Sequence, residues 1–397
     1  MAFSRGQKTT RESVDRADGS GHNVYMKRDN RQRLRTPQGT ESFFLEEAYR
    51  HRQLLRLVED EFTSWGYLPI LTPVFDFFET YRPLLNRAQE ERSYRFPDRD
   101  GELLMLRSDI TLFLAKQLGL FLEGESLPQR VYYADSIIRH QEDEDISSDE
   151  FFQSGAELIG LDGQDGDLEI LTLLYNLLTT MRIPQWRMHI GSRSLLDSIL
   201  EERVNPENAW YHLEIRDREG LNRLMKDAGL NNWKQRTELL LFLGTFEEFA
   251  EAGERFLKNC GNSPNFTMIN RSVDSLRSLA SKLSMCVSME DIRIDLTEHG
   301  GQPYYTGFTV RVYAGGANSA IASGGRYDNL LGVFGNSSPA AGFSLMMRKI
   351  EPLSGITTDV ADELPVAKGN NFTTRYRDAK NRRKKGERVL INPLKES

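Results

Sequence analysis

Cysteine is nearly absent. Only Cys260 and Cys286 occur in 397 residues, far apart and outside any C-x-x-C pair. That excludes a disulfide framework and a thiolate metal site, and both thiols are expected to be reduced and structural. Long apolar runs are also missing: none approaches the ~20 residues that cross a bilayer. The N-terminus, MAFSRGQKTTRESVDRADGSGHNVYMKRDNRQR, has no apolar segment of the kind a secretory signal needs. Its polar composition predicts a disordered tail over residues 1–38. No membrane partner and a cytoplasmic setting are therefore expected. An excess of positive charge is lacking too. With 51 Lys and Arg against 58 Asp and Glu, the net charge is −7, which argues against a nucleic-acid partner. There is no P-loop, no G-x-S-x-G nucleophile motif, no metal-ligand cluster among the six histidines and no internal repeat.

What is present reads as a globular α+β chain, with 39% hydrophobic and 27% charged residues. Leu54, Leu55, Val58, Phe62 and Trp65 recur at helical spacing within 41–66, predicting an amphipathic helix. "GYLPILTPVFD" (66–76) is extended, and Pro69 and Pro73 place it at a sheet edge or a subunit contact. "ELLMLRSDITLFLAKQLG" predicts a strand, then a helix starting near Asp109, whose carboxylate suits a helix N-terminus. Strands are expected near 130–138 and 150–160, a helix over 167–182, and a short strand at 186–191. Residues 195–284 have the texture of a helical insertion with a solvated charged face. In "YYTGFTVRVYA", Thr306, Phe308, Val310 and Val312 share one face. Tyr305, Gly307, Thr309, Arg311 and Tyr313 share the other, polar enough to floor a site. "IASGGRYDNLLGVFG" is expected to run strand, glycine turn, helix, and "PAAGFSLMMRKIEPL" to form a last helix. A core over 39–352, a linker over 353–371 and a small remnant over 372–397, one basic helix and one strand, complete the division. The strands lack a regular βαβ rhythm, predicting an antiparallel or mixed sheet flanked by helices.

One stretch poses the functional question. "IIRHQEDEDISSDEFFQSGAELIG" (137–160) reads as a hairpin whose connection carries six carboxylates between Gln141 and Phe151 and no base. Arg139 stands just before it. A cradle for phosphates would carry the opposite charge. A solvated tip is one reading of the loop and a contact with a partner protein is another.

The order of blocks "GYLPILTPVFD", "LRSDIT", "IIRHQ…FFQSGAELIG", "PYYTGFTVRVYA", "IASGGRYDNLLGVFG" and "PAAGFSL" resembles the catalytic core of histidyl-tRNA synthetase over roughly residues 36–350. The resemblance implies a class II aminoacyl-tRNA synthetase-like antiparallel sheet flanked by helices, with a helical insertion before "PYYTG". It also implies dimerisation through the region of residues 41–76. It further implies a histidine pocket. Asp109 and Thr111 stand where the family receives the substrate's ammonium. Gln153 and Glu157 stand where it contacts the ammonium and imidazole ends, and Tyr305 and Tyr327 match the tyrosines that close on the ring. Arg139, kept from the hairpin motif, is a candidate for the ligand's carboxylate. The residues alone leave blander roles open. Asp109 and Thr111 could cap a helix, and Gln153 and Glu157 could be polar members of a sheet face. Tyr305 and Tyr327 could be core aromatics, and Arg139 could pair with the acidic loop.

The ATP half departs from the family pattern. Gln141 replaces the adenine-reading Glu, and Ser147 falls where a phosphate-binding Arg is expected. Gly300 replaces the arginine of "RGLDYY", and Lys349, beside Arg348, replaces the closing arginine. Only some 45 residues follow the core, too few for the family's anticodon-binding domain. At ~4 kcal/mol for a charge pair 4 Å apart at an effective dielectric near 20, several carboxylates facing a triphosphate are expected to disable adenylate formation. With the amino-acid pocket kept, the chain resembles the regulatory subunits of ATP phosphoribosyltransferase, a paralogous family. That resemblance implies a non-catalytic subunit without cofactor or metal, paired with the short-form catalytic subunit in a hetero-octamer. It also implies histidine as feedback effector and no tRNA partner. An active histidine-tRNA ligase and a stand-alone histidine-sensing protein are the alternatives.

Overall fold

The computed structural model describes residues 37, 39–40, 42–122, 127–140, 149–259, 265–356 and 364–392. Most of the acidic loop, including Gln141 and Ser147, lies outside the described residues, as do Cys260 and nearly all of the N-terminal tail. Cys286 is exposed, so it takes no part in the core.

The chain opens with α1 (Leu45–Ser64), whose Leu54, Leu55, Val58 and Phe62 are buried as their spacing predicts. Trp65 closes the helix and, half-buried, packs against the same core; its indole N–H donates to Glu61. The proline segment then forms β1 (Leu68–Pro69) and β2 (Phe75–Phe77). β2 enters a small antiparallel sheet with β3 (Arg95–Pro97) and β4 (Leu103–Leu106). α2 (Ile110–Phe121) follows β4, with Asp109 as its N-cap.

The main sheet is built on the hairpin of β5 (Gln129–Ile138) and β6 (Glu150–Ile159). It also contains β7 (Trp186–Ser192), β8 (Leu243–Gly244), β9 (Ile292–Asp295), β10 (Phe308–Ala314), β11 (Ala322–Arg326) and β12 (Ala340–Met346). The order is β1-β5-β6-β12-β11-β10-β7-β9-β8. The block from β5 to β7 is antiparallel throughout, while β1 joins β5 and β9 joins β7 in parallel. β1 is thus an edge strand, as its proline requires.

Period-two alternation gives the sheet two faces. Ala156, Leu158, Phe308, Val310, Val312, Ala341, Phe343 and Leu345 point into the larger core. Its other wall is α1 and α3 (Gln164–Thr180), the latter through Ile170, Leu171, Leu174, Leu177 and Leu178. The opposite face, with Val131, Tyr133, Ile137, Phe151 and Ile159, packs on α2 and holds Tyr305 and Tyr327. Between β7 and β9 runs a set of helices: α4 (Arg193–Leu200), α5 (Pro206–Glu214), α6 (Arg218–Asp227), α7 (Trp233–Leu240), α8 (Phe246–Asn259) and α9 (Phe266–Leu283). β8 interrupts this otherwise helical stretch and pairs with β9. The C-terminal segment contributes α11 (Phe372–Arg383) and a single bridge between Val366 and Leu390 in place of the expected strand.

Three expectations are corrected. "PAAGFSL" is strand β12, not helix; only Met347–Ile350 is helical (α10). Its nearly unbroken run of small and apolar residues fits a strand buried on both faces between β6 and β11. The two glycines of "SGGR" lie within β11, not in a turn, and only Leu331–Phe334 coils, as a single 3-10 segment. A Cβ on Gly325 would come within 2.6 Å of the Phe308 carbonyl and 2.9 Å of the Tyr305 ring, so the glycine permits close approach. Finally, of the polar face Tyr305, Gly307, Thr309, Arg311 and Tyr313, only Tyr305 lines the site. Thr309, Arg311 and Tyr313 instead hold Glu298: the first donates to its carbonyl, the others meet its carboxylate at 3.1 and 2.5 Å.

Candidate functional site

β6 sets the frame of the site. Gln153 and Glu157, four residues apart on a strand, lie on the same face and are both buried. β12 runs beside them in a register that pairs Gly342 with Glu157 and Met346 with Gln153. Gly342 is a requirement of the site: a Cβ there would stand 1.5 Å from Glu157 Oε2. The N-cap and first turn of α2 supply Asp109 and Thr111, and Arg139 follows the last residue of β5. The segment preceding β10 brings Tyr304 and Tyr305, and the turn after β11 brings Tyr327.

All the residues singled out from the sequence, Asp109, Thr111, Arg139, Gln153, Glu157, Tyr305 and Tyr327, line one cavity of about 70 Å3. It is far below the ~300–1,000 Å3 of sites for drug-sized ligands, so it selects small polar groups. Thr111 Oγ1 donates to Glu157 Oε1 at 2.8 Å, and the Tyr327 hydroxyl donates to Oε2 at 2.5 Å. Asp109 does two jobs. One oxygen accepts the Leu112 N–H at 3.1 Å and caps the helix; the other accepts from Tyr304 at 3.3 Å and Gln302 at 3.4 Å. The helix-cap role is therefore real, and it leaves the second carboxylate oxygen facing the cavity groups. The Arg139 guanidinium lies 5.2 Å from the Phe151 ring centre. Gln153 has only a weak partner, the Met346 sulfur at 3.4 Å from its Nε2.

Burial dominates the site's electrostatics. It pushes the Glu157 carboxyl up to about 8, against the lowering effect of the Tyr327 and Thr111 hydroxyls, while the nearby Asp109 charge adds to the rise. Asp109 is also raised by burial, opposed by the Leu112 N–H and the Arg139 charge. Burial holds the Tyr305 and Tyr327 phenols well above their ordinary range, so both stay hydrogen-bond donors. Burial lowers Arg139, and Asp109 opposes that shift. Two carboxyl groups, one guanidinium, two carboxamides and several hydroxyls converge on one small space. Such a set matches a small molecule that presents a cation and an anion together.

The sequence reasoning missed Tyr304, Gln302, Tyr133 and Ser344, which also line the cavity. Tyr304 could have been found from its place beside Tyr305. Gln302 gave no signal, because its role depends on reaching Asp109 across the fold.

The cations at the closing position of the motif pattern are engaged inside the chain. Arg348 meets Glu47 at 3.0 Å and lies 4.6 Å from the Phe43 ring centre, and Lys349 donates to Ser319. Among the described residues, His189, Asp295 and Glu298 are near enough to be considered as metal ligands. Their carboxylates already accept from Arg216 at 2.7 Å, Thr297 at 2.7 Å, Arg311 and Tyr313, so their charge is answered. No helix among the described residues is long and apolar enough to cross a membrane.

A family model for histidyl-tRNA synthetase matches residues 39–350. The ATP phosphoribosyltransferase regulatory subunit of Moorella thermoacetica is 27% identical over 366 residues, covering 90% of this chain and 92% of that protein. The regulatory subunit of the same name from Bacillus velezensis is 32% identical over 308 residues, covering 76% and 77%. Among solved structures, an ATP phosphoribosyltransferase regulatory subunit/histidyl-tRNA synthetase from Bacillus halodurans superposes with a TM-score of 0.77 at 22% identity, covering 91% of this chain and 94% of that one. Histidyl-tRNA synthetase from Nostoc sp. PCC 7120 gives 0.74 at 18%, covering 92% and 87%. These structural likenesses establish the class II synthetase-like fold.

Proposed function

Because the chain belongs to the histidyl-tRNA synthetase-like family of ATP phosphoribosyltransferase regulatory subunits, we propose that it is a non-catalytic subunit that binds free histidine and conveys its presence to a short-form catalytic partner. One observation carries this reading: every residue transferred from the histidine pocket converges on one buried polar cavity. In it the ligand's ammonium meets Asp109 and Thr111, its carboxylate meets Arg139, its ring lies between Tyr305 and Tyr327, and Gln153 and Glu157 serve its ammonium and imidazole ends. A neutral imidazole needs one donor and one acceptor, and a carboxyl with two hydroxyls can provide both.

ATP chemistry is not part of the role. Gly300 stands in place of a positive charge, while Arg348 and Lys349 are held by Glu47 and Ser319. Losing one electrostatic clamp on a transition state typically costs ~10²–10³-fold in rate. Feedback follows from linkage: histidine binds one conformation of the complex better than another, and that difference biases the catalytic partner.

Self-association within a hetero-octamer, in the cytoplasm, is part of the same reading. The segment from β1 to β2 leaves Leu68, Leu71, Val74, Phe75 and Phe77 exposed, an apolar strip that a second copy would cover. The test is reconstitution with the short catalytic subunit. Activity is expected to require this chain and to fall when histidine is added. Histidine-dependent exchange of pyrophosphate into ATP by the isolated chain would instead establish a ligase.

A further inference from the structure

A second cavity among the described residues is larger than the one just described. A cleft of about 690 Å3 lies where α4 and α9 face the segment 303–306 and the turn 329–333. It shares Tyr304 and Tyr305 with the small cavity and is otherwise lined by different residues. Its size is that of a site for a small organic molecule. Leu84, Met268, Leu330 and Val333 give it an apolar part, and serines and asparagines give it hydrogen-bonding groups.

Arg193 is the unusual member. It opens α4, is buried, and lines the cleft. Its Nε donates to Asp197 at 2.9 Å and its guanidinium lies 5.5 Å from the centre of the Trp210 ring. Its Nη1 is buried and has no hydrogen-bond partner. A guanidinium has five N–H donors in a planar fork, and leaving a buried one unmet is unfavourable. Asp197 answers only the Nε side. A second arginine, Arg271, lines the same cleft from α9. The neighbouring Ser272 and Ser198 hydroxyls are 3.2 Å apart, which brings that turn of α9 against α4. Asp197 and Glu202 also line the cleft, so it is not a diffuse basic surface. The two carboxylates balance the two guanidinium groups, so the foothold for an anion is the unmet N–H donors of Arg193 rather than net positive charge.

We propose that this cleft is a second ligand site, which takes a small molecule bearing a phosphate or carboxylate. The anion sits on Arg193 and Arg271, and the body of the ligand lies against Leu84, Met268, Leu330 and Val333. Planar bidentate recognition of such oxyanions is what the arginine fork does best. The proposal does not depend on histidine binding in the small cavity.

The experiment titrates the full chain with inorganic phosphate and, separately, with acetate, following ligand line broadening by NMR at millimolar concentrations. Saturable binding of either anion is expected. It should weaken at least tenfold in Arg271→Ala, whose residue is exposed and outside the core, and in Arg193→Lys, which keeps the charge and loses the fork. Phosphate bound in preference to acetate identifies an organic phosphate, and the reverse identifies a carboxylate. Arg139→Ala, in the small cavity, should leave the binding intact. Absence of saturable binding by both anions, undiminished binding in both cleft variants, or loss in Arg139→Ala alone would overturn the proposal.

Discussion

Replacing Glu157 by glutamine tests the electrostatics of the site most sharply. Burial raises this carboxyl from an ordinary 4.5 to about 8. Below pH 4.5 both folded and unfolded chains carry the proton, and the group costs the fold nothing. Between 4.5 and about 8 the unfolded chain has released a proton that the folded one keeps. Stability therefore falls as pH rises across this window and levels off above it. At 1.36 kcal/mol per pKa unit, the full penalty is about 5 kcal/mol at most. Glutamine keeps the shape and can still hydrogen-bond Thr111 and Tyr327, but it has no proton to lose. Urea denaturation of both proteins, at a pH of about 5 and again at about 8.5, isolates the contribution of this carboxyl. The wild type should lose a few kcal/mol more than the variant over that interval. Asp167, also raised by burial, remains in both proteins and cancels in the comparison, whereas Asp109, whose charge acts on Glu157, is read together with it. Parallel stability–pH curves would show that Glu157 titrates normally and that the cavity does not hold a proton on this strand.

Other outcomes follow from the same geometry. Gly342→Ala places a methyl group on Glu157 Oε2; overpacking of this kind costs ~1–3 kcal/mol, and histidine affinity, read by calorimetry, should fall at least tenfold. Arg107 is buried and donates to the Ser136 carbonyl at 2.7 Å and the Thr72 carbonyl at 2.9 Å, besides pairing with Asp135 at 2.8 Å. Arg107→Met should therefore lower unfolding free energy by about 3 kcal/mol, since several charge-assisted bonds go at once. Burial raises the Asp76 carboxyl, but Lys116 and Tyr81 overcome that effect and hold it below its usual value. Its stabilising effect is thus lost on acidification, and Lys116→Met should flatten the loss of stability at low pH. Leu71→Glu puts a charge into the exposed strip of the proline segment and should shift sedimentation toward the monomer.

The fold was legible where periodicity and neighbours agreed. The stripe Leu54, Val58, Phe62 and the hairpin 129–159 needed only local pattern. The misread segments share a cause. "PAAGFSL" and "SGGR" form central strands whose small residues are chosen for contact with adjacent strands, information that is absent from the segment itself. Gly325 is there because of Tyr305, and Gly342 because of Glu157. The alternation of β10 was read correctly, but not the partner of its polar face. Glu298 reaches Thr309, Arg311 and Tyr313 through a turn that no periodicity announces. At the site, the residues that match the family's pocket were found, while Tyr133, Gln302, Tyr304 and Ser344, which complete the lining, were not. Gln302 and Tyr304 act through Asp109, nearly two hundred positions away.

The central claim is that this scaffold grips free histidine in the cavity of Asp109, Glu157 and Tyr327. Titrating L-histidine into the purified chain in a calorimeter tests it most directly. The account predicts saturable binding of one histidine per chain, abolished in Glu157→Ala. A titration without heat, in the chain alone and in its complex with the catalytic subunit, would contradict it.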